Sequence, residues 1–302
     1  MSAGGSLKVI LGSLAANLGI AAAKGAAAVV TGSGAMMAEA IHSAADCTNQ
    51  VLLLIGAKQA AAPPDEAHPM GRGRAAYFWS FLVALMIFAG GGVMSVREGV
   101  HKVLHPDPVE HVWVGFAVLG VSLVLEAAAA VQCKRALDAA RGDRPFLAHL
   151  AQTTDVDVVI LFAENSAAVA GLLLAMAALA LAASTGDARW DGVGSIAVGV
   201  LLTLVAFFLS REVKSLLEGE RADPDVERAF REEAAGSQVW GDVLRVITLQ
   251  QGPGQVMVAA KLAVNPGVDA SALARAMNDL EARVRARRPE VKWQFIEPDI
   301  AD

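Results

Sequence analysis

The sequence predicts a membrane all-α domain of six transmembrane helices, followed by a small cytoplasmic α+β domain with the element order αββαβ. Three observations lead there. Of the 302 residues, 55% are hydrophobic and 19% charged, and the mean hydropathy of +0.46 exceeds that of an ordinary soluble domain. Six stretches are apolar over the roughly 20 residues that a helix needs to cross ~30 Å of hydrocarbon. Charge is uneven, since residues 211–302 hold 29 of the 56 Asp, Glu, Lys and Arg. A membrane domain over 1–212 and a soluble domain over 213–302 are therefore expected.

The first span covers 9–31. Lys8 precedes it, but the run has no convincing cleavage site, so a retained helix is expected rather than a signal peptide. Only Thr31-Gly32-Ser33-Gly34 separates it from the second span, 35–58, which makes the two antiparallel neighbours. The remaining spans are 77–100, 111–133, 156–183 and 190–210. Lys8, Lys58, Arg72, Arg74, Lys134, Arg135, Arg141 and Arg144 fall on one side, against Arg97, Lys102 and Arg189 on the other. By the positive-inside rule both termini are cytoplasmic, as an even number of spans requires. The expected setting is a multi-pass protein of the cell (inner) membrane, with the lipid bilayer as its first partner.

Beyond Arg211 hydropathy falls. Residues 224–235 suit a short helix and 243–249 a strand; Gly252-Pro253-Gly254 reads as a hairpin turn into a second strand, 255–264. Leu273, Met277, Leu280 and Val284 recur at helical spacing over 269–287, with Asp269 as N-cap. A last strand, 291–296, completes the domain. Net charge is −6 and pI about 5.6, so no basic surface invites nucleic acid. Cys47 and Cys133 form no CxxC pair, which argues against a structural zinc or disulfide framework. No resident cofactor is expected.

The informative residues are polar ones inside apolar helices. His42 and Asp46, four apart on the second span, share a helix face, and Glu39 and Asn49 extend the same stripe. A mid-membrane charge costs ~2.5–3.5 kcal/mol even on insertion scales, so an ion or a proton is the expected return. Imidazole with carboxylate suits zinc and other first-row divalent metals, whereas magnesium and calcium sites are normally all oxygen. The plainer alternative is that His42 and Asp46 hydrogen-bond each other and neighbouring helices. On the fifth span Glu164 lies deepest and reads as a third ligand. Asp157, seven residues earlier on the same face, reads as an entry ligand, and Asp155 as a capping or interfacial group. Lys24, with Asn17 in the first span, and Glu126 in the fourth belong either to a proton path or to helix pairing.

These residues also carry a resemblance. Glu39-Ala40-Ile41-His42-Ser43-Ala44-Ala45-Asp46 resembles the second helix of cation diffusion facilitators, with its HxxxD metal half-site. Pro63-Pro64-Asp65-Glu66-Ala67-His68-Pro69-Met70-Gly71-Arg72-Gly73-Arg74 is similar to that family's loop signature, and Asp191-Gly192-Val193-Gly194-Ser195-Ile196 to its sixth-helix start. The resemblance implies a homodimer with six helices per subunit and a ferredoxin-like cytoplasmic domain. It also implies export of divalent metal from the cytosol in exchange for protons. The usual second HxxxD on the fifth helix is absent, since Leu161 and Asn165 stand at its two positions. Glu164-Asn165 instead resembles a branch with a Glu-Asp pair, Asn replacing Asp, so Asn165 becomes a candidate carbonyl-oxygen ligand, with water as the alternative fourth ligand. Asp65 and His68 become candidates for a cytoplasmic entry site. All six histidines lie at or before His149, which leaves dimerisation as the expected role of the tail.

The function expected from residues and resemblance together is secondary active transport. Divalent cations, zinc first and manganese, iron, cobalt or nickel as alternatives, leave the cytosol by proton antiport. His42, Asp46, Glu164, Asn165 and Asp157 form the expected metal set. A metal-binding subunit or sensor without turnover is the rival within the membrane class. An intramembrane metallohydrolase is the rival from another class; the sequence has no HExxH or comparable helix and that reading gives the 63–74 loop no role, so no enzyme is expected.

Overall fold

The computed structural model describes residues 34–106, 112–142 and 156–300, together with separate positions between 11 and 29 and at 145, 146 and 150; the side chains of 34–42, 45 and 156 lie outside the described residues. The helices are α1 (Gly34–Ala60), α2 (Ala75–Met86), α3 (Met94–Leu104), α4 (Val112–Arg141), α5 (Val156–Thr185) and α6 (Arg189–Glu218). A π-helical segment, Ile87–Val93, joins α2 to α3 without a break. Among the described residues four helices are long and apolar enough to cross a membrane: Ala75–Leu104, Val112–Arg141, Asp157–Thr185 and Arg189–Glu218. Helix α1 has 27 residues, roughly 40 Å at 1.5 Å per residue, but its Glu, His, Asp, Asn and Gln side chains dilute its apolarity. Of the first expected span, 9–31, the separate positions described between 11 and 29 are helical, and the others lie outside the described residues.

Close approach of α3 and α6 follows from glycine. A Cβ on Gly99 would meet the Gly192 carbonyl oxygen at 2.6 Å, and one on Gly199 would meet Val96 at 2.7 Å. Only hydrogen at these positions lets the backbones touch, the small-residue packing that favours helix association in lipid. Lys102 Nζ and Asp191 Oδ2 close the same helix pair with a 2.7 Å ion pair. The bundle core gathers Leu53, Tyr77, Val83, Leu137, Ile160 and Leu209, all buried.

Helix α6 ends at Gly219, whose φ of +108° is left-handed backbone that glycine adopts at least cost. Helix α7 (Pro224–Ala235) follows, with Asp223 as N-cap accepting from the Asp225 N–H and proline in its first turn. Then come β1 (Trp240–Gly252), β2 (Gln255–Val264), α8 (Ala270–Arg287) and β3 (Val291–Asp299). The expected order αββαβ is the order observed. Asp269 caps α8 by accepting from the Ser271 and Ala272 N–H groups. The sheet runs β1-β2-β3; β1 and β2 are antiparallel, with Leu249 opposite Met257, and β2 and β3 are parallel, with Val258 opposite Gln294. Two strands exceed their expected lengths because pairing continues past the apolar alternation. In β3 it continues as far as Asp299, and Pro298 is tolerated because β3 is an edge strand. Phe230, Val258, Leu262, Leu280 and Val284 fill the space between sheet and helices.

The hairpin between β1 and β2 lies against the loop that joins α1 to α2. A Cβ on Gly73 would lie 2.6 Å from the Gln251 carbonyl oxygen, and Gln255 Nε2 donates to the Ala60 carbonyl at 3.3 Å.

Candidate metal site

A cavity of about 150 Å³ opens inside the bundle, lined on its polar side by Asn17, Asp46, Asn49, Glu126 and Glu164. Helical geometry explains the grouping: Asp46 and Asn49 are three residues apart on α1 and therefore share a face, while α4 and α5 bring Glu126 and Glu164. The rest of the lining is apolar and includes Ile87, Gly90 and Gly91 from the π-helical segment and Leu202 and Val205 from α6. Such a wall lowers the local dielectric and raises the cost of every unpaired charge facing it.

Asn49 Nδ2 donates to Glu164 Oε1 at 2.8 Å. The other carboxyl oxygen, Glu164 Oε2, is buried and has no hydrogen-bond partner among the described residues. A carboxylate fixed by one oxygen and left open at the other is oriented for a cation or a proton. Asp46 faces the same space. His42 lies on α1 four residues before Asp46, which places it one turn along that face; its side chain lies outside the described residues. Among the described residues no three His, Cys, Asp or Glu side chains converge into a ready metal centre. The carboxylates instead stand around a space that a cation would have to draw together.

The other expected site residues are distributed elsewhere. Asp157 is buried and its Oδ1 accepts from Ser80 Oγ at 3.1 Å, two turns from Glu164 and away from the cavity lining. Asn165 is buried against α4, its Nδ2 3.6 Å from Cys133 Sγ, and does not line the cavity. Lys24 and the Glu39 side chain lie outside the described residues, as does Asp155. Asp65 and His68 meet in the α1–α2 loop: Asp65 Oδ1 accepts from the His68 N–H at 2.7 Å and lies 3.2 Å from His68 Nδ1. Arg72 donates to Asp65 Oδ2 at 2.8 Å. The His68 backbone N–H, then the His68 ring and Arg72, hold the Asp65 carboxyl below the usual carboxylate range. This loop is a folded electrostatic knot with about half of each side chain in solvent.

Two contributors escape a reading of sequence alone. The π-helical segment shapes the apolar wall; its only sequence signal is three consecutive glycines, Gly90-Gly91-Gly92, within an apolar run. Ser80, the partner of Asp157, gives no signal at all, since serine is common in membrane helices.

A polytopic helical protein with an acid-lined cavity inside its bundle is the class that fold and site define. Residues 10–217 match the cation efflux transmembrane domain. The chain therefore belongs to the cation efflux, or cation diffusion facilitator, family and is an integral multi-pass membrane protein. It is 36% identical over 200 residues to a proton-coupled zinc antiporter of mitochondria, SLC30A9, from Xenopus laevis, covering 65% of this chain and 36% of that one. The human counterpart is 34% identical over 200 residues, covering 65% and 35%. Metal tolerance protein C4 of Arabidopsis thaliana is 30% identical over 236 residues, covering 76% and 51%. The chain spans about a third of the length of the zinc antiporters it matches. The family is one of transporters and not of enzymes, which removes the hydrolase reading.

Proposed function

We propose that this protein is a secondary active transporter that exports divalent metal cations, zinc first, from the cytosol in exchange for protons. The observation that carries the reading is the cavity where Asp46 and Glu164 meet, with one Glu164 oxygen held by Asn49 and the other open. His42, one turn from Asp46, is the proposed nitrogen donor, and Asp65 with His68 the proposed cytoplasmic mouth. Glu39 is assigned a supporting role on the α1 face. Lys24 is assigned to helix pairing or the proton route.

Metal and proton are coupled because both compete for the same side chains. Imidazole and carboxylate must be deprotonated to bind a cation, so protonation of the site from the far side expels it. A site alternately open to each side then converts the proton gradient into metal export. Names of relatives that read as proton-coupled zinc antiporters support zinc and protons as the exchanged ions. We further assign both termini and the domain beyond 212 to the cytoplasm, the chain to the inner membrane, and the tail to holding a homodimer. Metals with nitrogen and oxygen preferences close to zinc, namely manganese, iron, cobalt and nickel, remain in the substrate set.

The test is uptake into proteoliposomes with a panel of these metals, with and without a pH gradient. Zinc flux that rises with the gradient is expected. Equal zinc flux in the wild type, His42→Ala and Asp46→Ala would remove the site from the mechanism, and metal binding without proton flux would make the protein a sensor or subunit.

A further inference from the structure

Asn17 stands out once Asp46 and Glu164 are given to the cation. It is only 4% exposed, it lines the cavity, and its Oδ1 is buried with no hydrogen-bond partner among the described residues. Leaving a buried amide oxygen unsatisfied costs about 1–3 kcal/mol, a cost that leucine or alanine at the same position would avoid. Glu126 reaches the same cavity from α4 and is 7% exposed. The volume of about 150 Å³, set against ~30 Å³ for a water in the liquid, leaves room for a cation with several of its waters. An open neutral oxygen and a third carboxyl group thus line the same space as Asp46 and Glu164.

We propose that Asn17 Oδ1 and Glu126 complete the shell of the transported cation, and that Asn17 sets its selectivity. The proposal rests on the reading of this cavity as the transport site. With these two the donors become one imidazole, His42, and four oxygen-bearing side chains, Asp46, Glu126, Glu164 and Asn17. Zinc is satisfied by four ligands and takes nitrogen readily, whereas harder ions such as manganese need more oxygen. Asn17 is thus the ligand that manganese needs and zinc can replace with water. The Asn165 and Asp157 side chains, engaged with Cys133 and Ser80, leave those coordination positions to Asn17 and Glu126.

The test titrates full-length protein in nanodiscs with zinc chloride and with manganese chloride by calorimetry, following the melting of the metal-free protein in parallel. The variants are Asn17→Ala, Asn17→Asp, Glu126→Gln and Asp46→Ala. Expected are a loss of manganese affinity of about tenfold or more in Asn17→Ala, a smaller loss for zinc, recovery of manganese binding in Asn17→Asp, and weaker binding of both metals in Glu126→Gln. If Asn17→Ala does not fold, the isosteric Asn17→Asp decides alone: a rise in manganese over zinc affinity supports the proposal and an unchanged ratio overturns it. Wild-type affinity for both metals in Asn17→Ala and Glu126→Gln, with binding lost in Asp46→Ala, overturns it and leaves the transport site standing. Wild-type affinity in Asp46→Ala as well would overturn the underlying reading of the cavity. Equal loss of both metals in Asn17→Ala together with a lower melting temperature would make Asn17 structural and also overturn the proposal.

Discussion

The helix bundle and the C-terminal domain treat polar side chains in opposite ways. Of ten buried polar or charged side chains among the described residues, nine lie at or before Asn165 and one, Gln250, in the C-terminal domain. That domain keeps a core of Phe230, Val258, Leu262 and Leu280 and arranges its charges outside it. Arg283 pairs with Glu233 at 3.2 Å, and Arg287 pairs with Glu232 and Glu233. Exposed pairs of this kind are worth little individually, so the domain stands on apolar burial. The bundle carries its polar groups where desolvation costs most. Some are matched internally, as Asp157 with Ser80 and Asn165 with Cys133, and these fasten helices. Others, Glu164 Oε2 and Asn17 Oδ1, are left open on one cavity. An open buried oxygen is a cost in stability, and one that lines a cavity stands where an ion could offset it.

That contrast can be broken by exchanging the two kinds of loss. Asp46→Ala or Glu164→Gln is expected to bring metal flux in proteoliposomes down to background while the detergent-solubilised protein melts no lower than wild type, because removing an ionisable group from an apolar-walled cavity also removes the cost of desolvating it. A large drop in melting temperature with residual flux would show these carboxylates to be structural. Phe230→Ala should do the reverse. Its side chain is fully buried, so about 3–5 kcal/mol of the tail's stability is lost, which chemical denaturation of the full chain with a reporter in the tail would detect. Metal binding in the bundle should survive it at temperatures where the tail is still folded.

Asn49→Ala is an intermediate case that sharpens the comparison. It removes the donor to Glu164 Oε1, a hydrogen bond worth about 0.5–1.5 kcal/mol. Glu164 would then lose its orientation without losing its carboxyl group. Zinc affinity measured by calorimetry is expected to fall about tenfold or more, the usual effect of removing a partner that orients a ligand. Unchanged affinity would mean that the cation does not use the orientation Asn49 imposes.

Much of the fold is legible in the sequence because hydropathy and period answer to single physical demands. Apolar runs of membrane length mark the four helices from Ala75 to Glu218, and Asp269 marks the start of α8 as its N-cap. The site is legible only in part. Asp46 and Glu164 announce themselves because ionisable residues are costly in apolar helices. Whether Glu164 or Asn165 faces the cavity depends on the rotation of α5 about its axis, about 100° per residue, and an apolar helix bearing few polar side chains leaves that rotation poorly marked. The same ambiguity hid the place of Asn17: a single amide in an alanine-rich span carries no information about which neighbour it faces. In the π-helical segment Gly91 packs against Leu202 and Gly92 against Gly199 and Thr203, tertiary contacts with almost no local signature.

The smallest expected effect lies between the two regions, in the loop that touches the β1–β2 hairpin. The Asp65 carboxyl accepts from the His68 N–H and from Arg72, and these contacts, the backbone N–H first, hold it below its usual value despite a slight opposing burial. A carboxyl whose folded value is lowered contributes its stabilisation fully above the unfolded value of about 3.9, and loses it as pH falls through the lowered folded value. Hydrogen exchange of the His68 amide, corrected for the intrinsic pH dependence of exchange, should therefore show constant protection through the neutral range and a decline only below about pH 4. Asp65→Asn should lower that protection at neutral pH by removing the charge that Arg72 pairs with, while the bundle's melting stays unchanged. A decline that begins near neutrality would show that the Asp65 carboxyl does not control the loop.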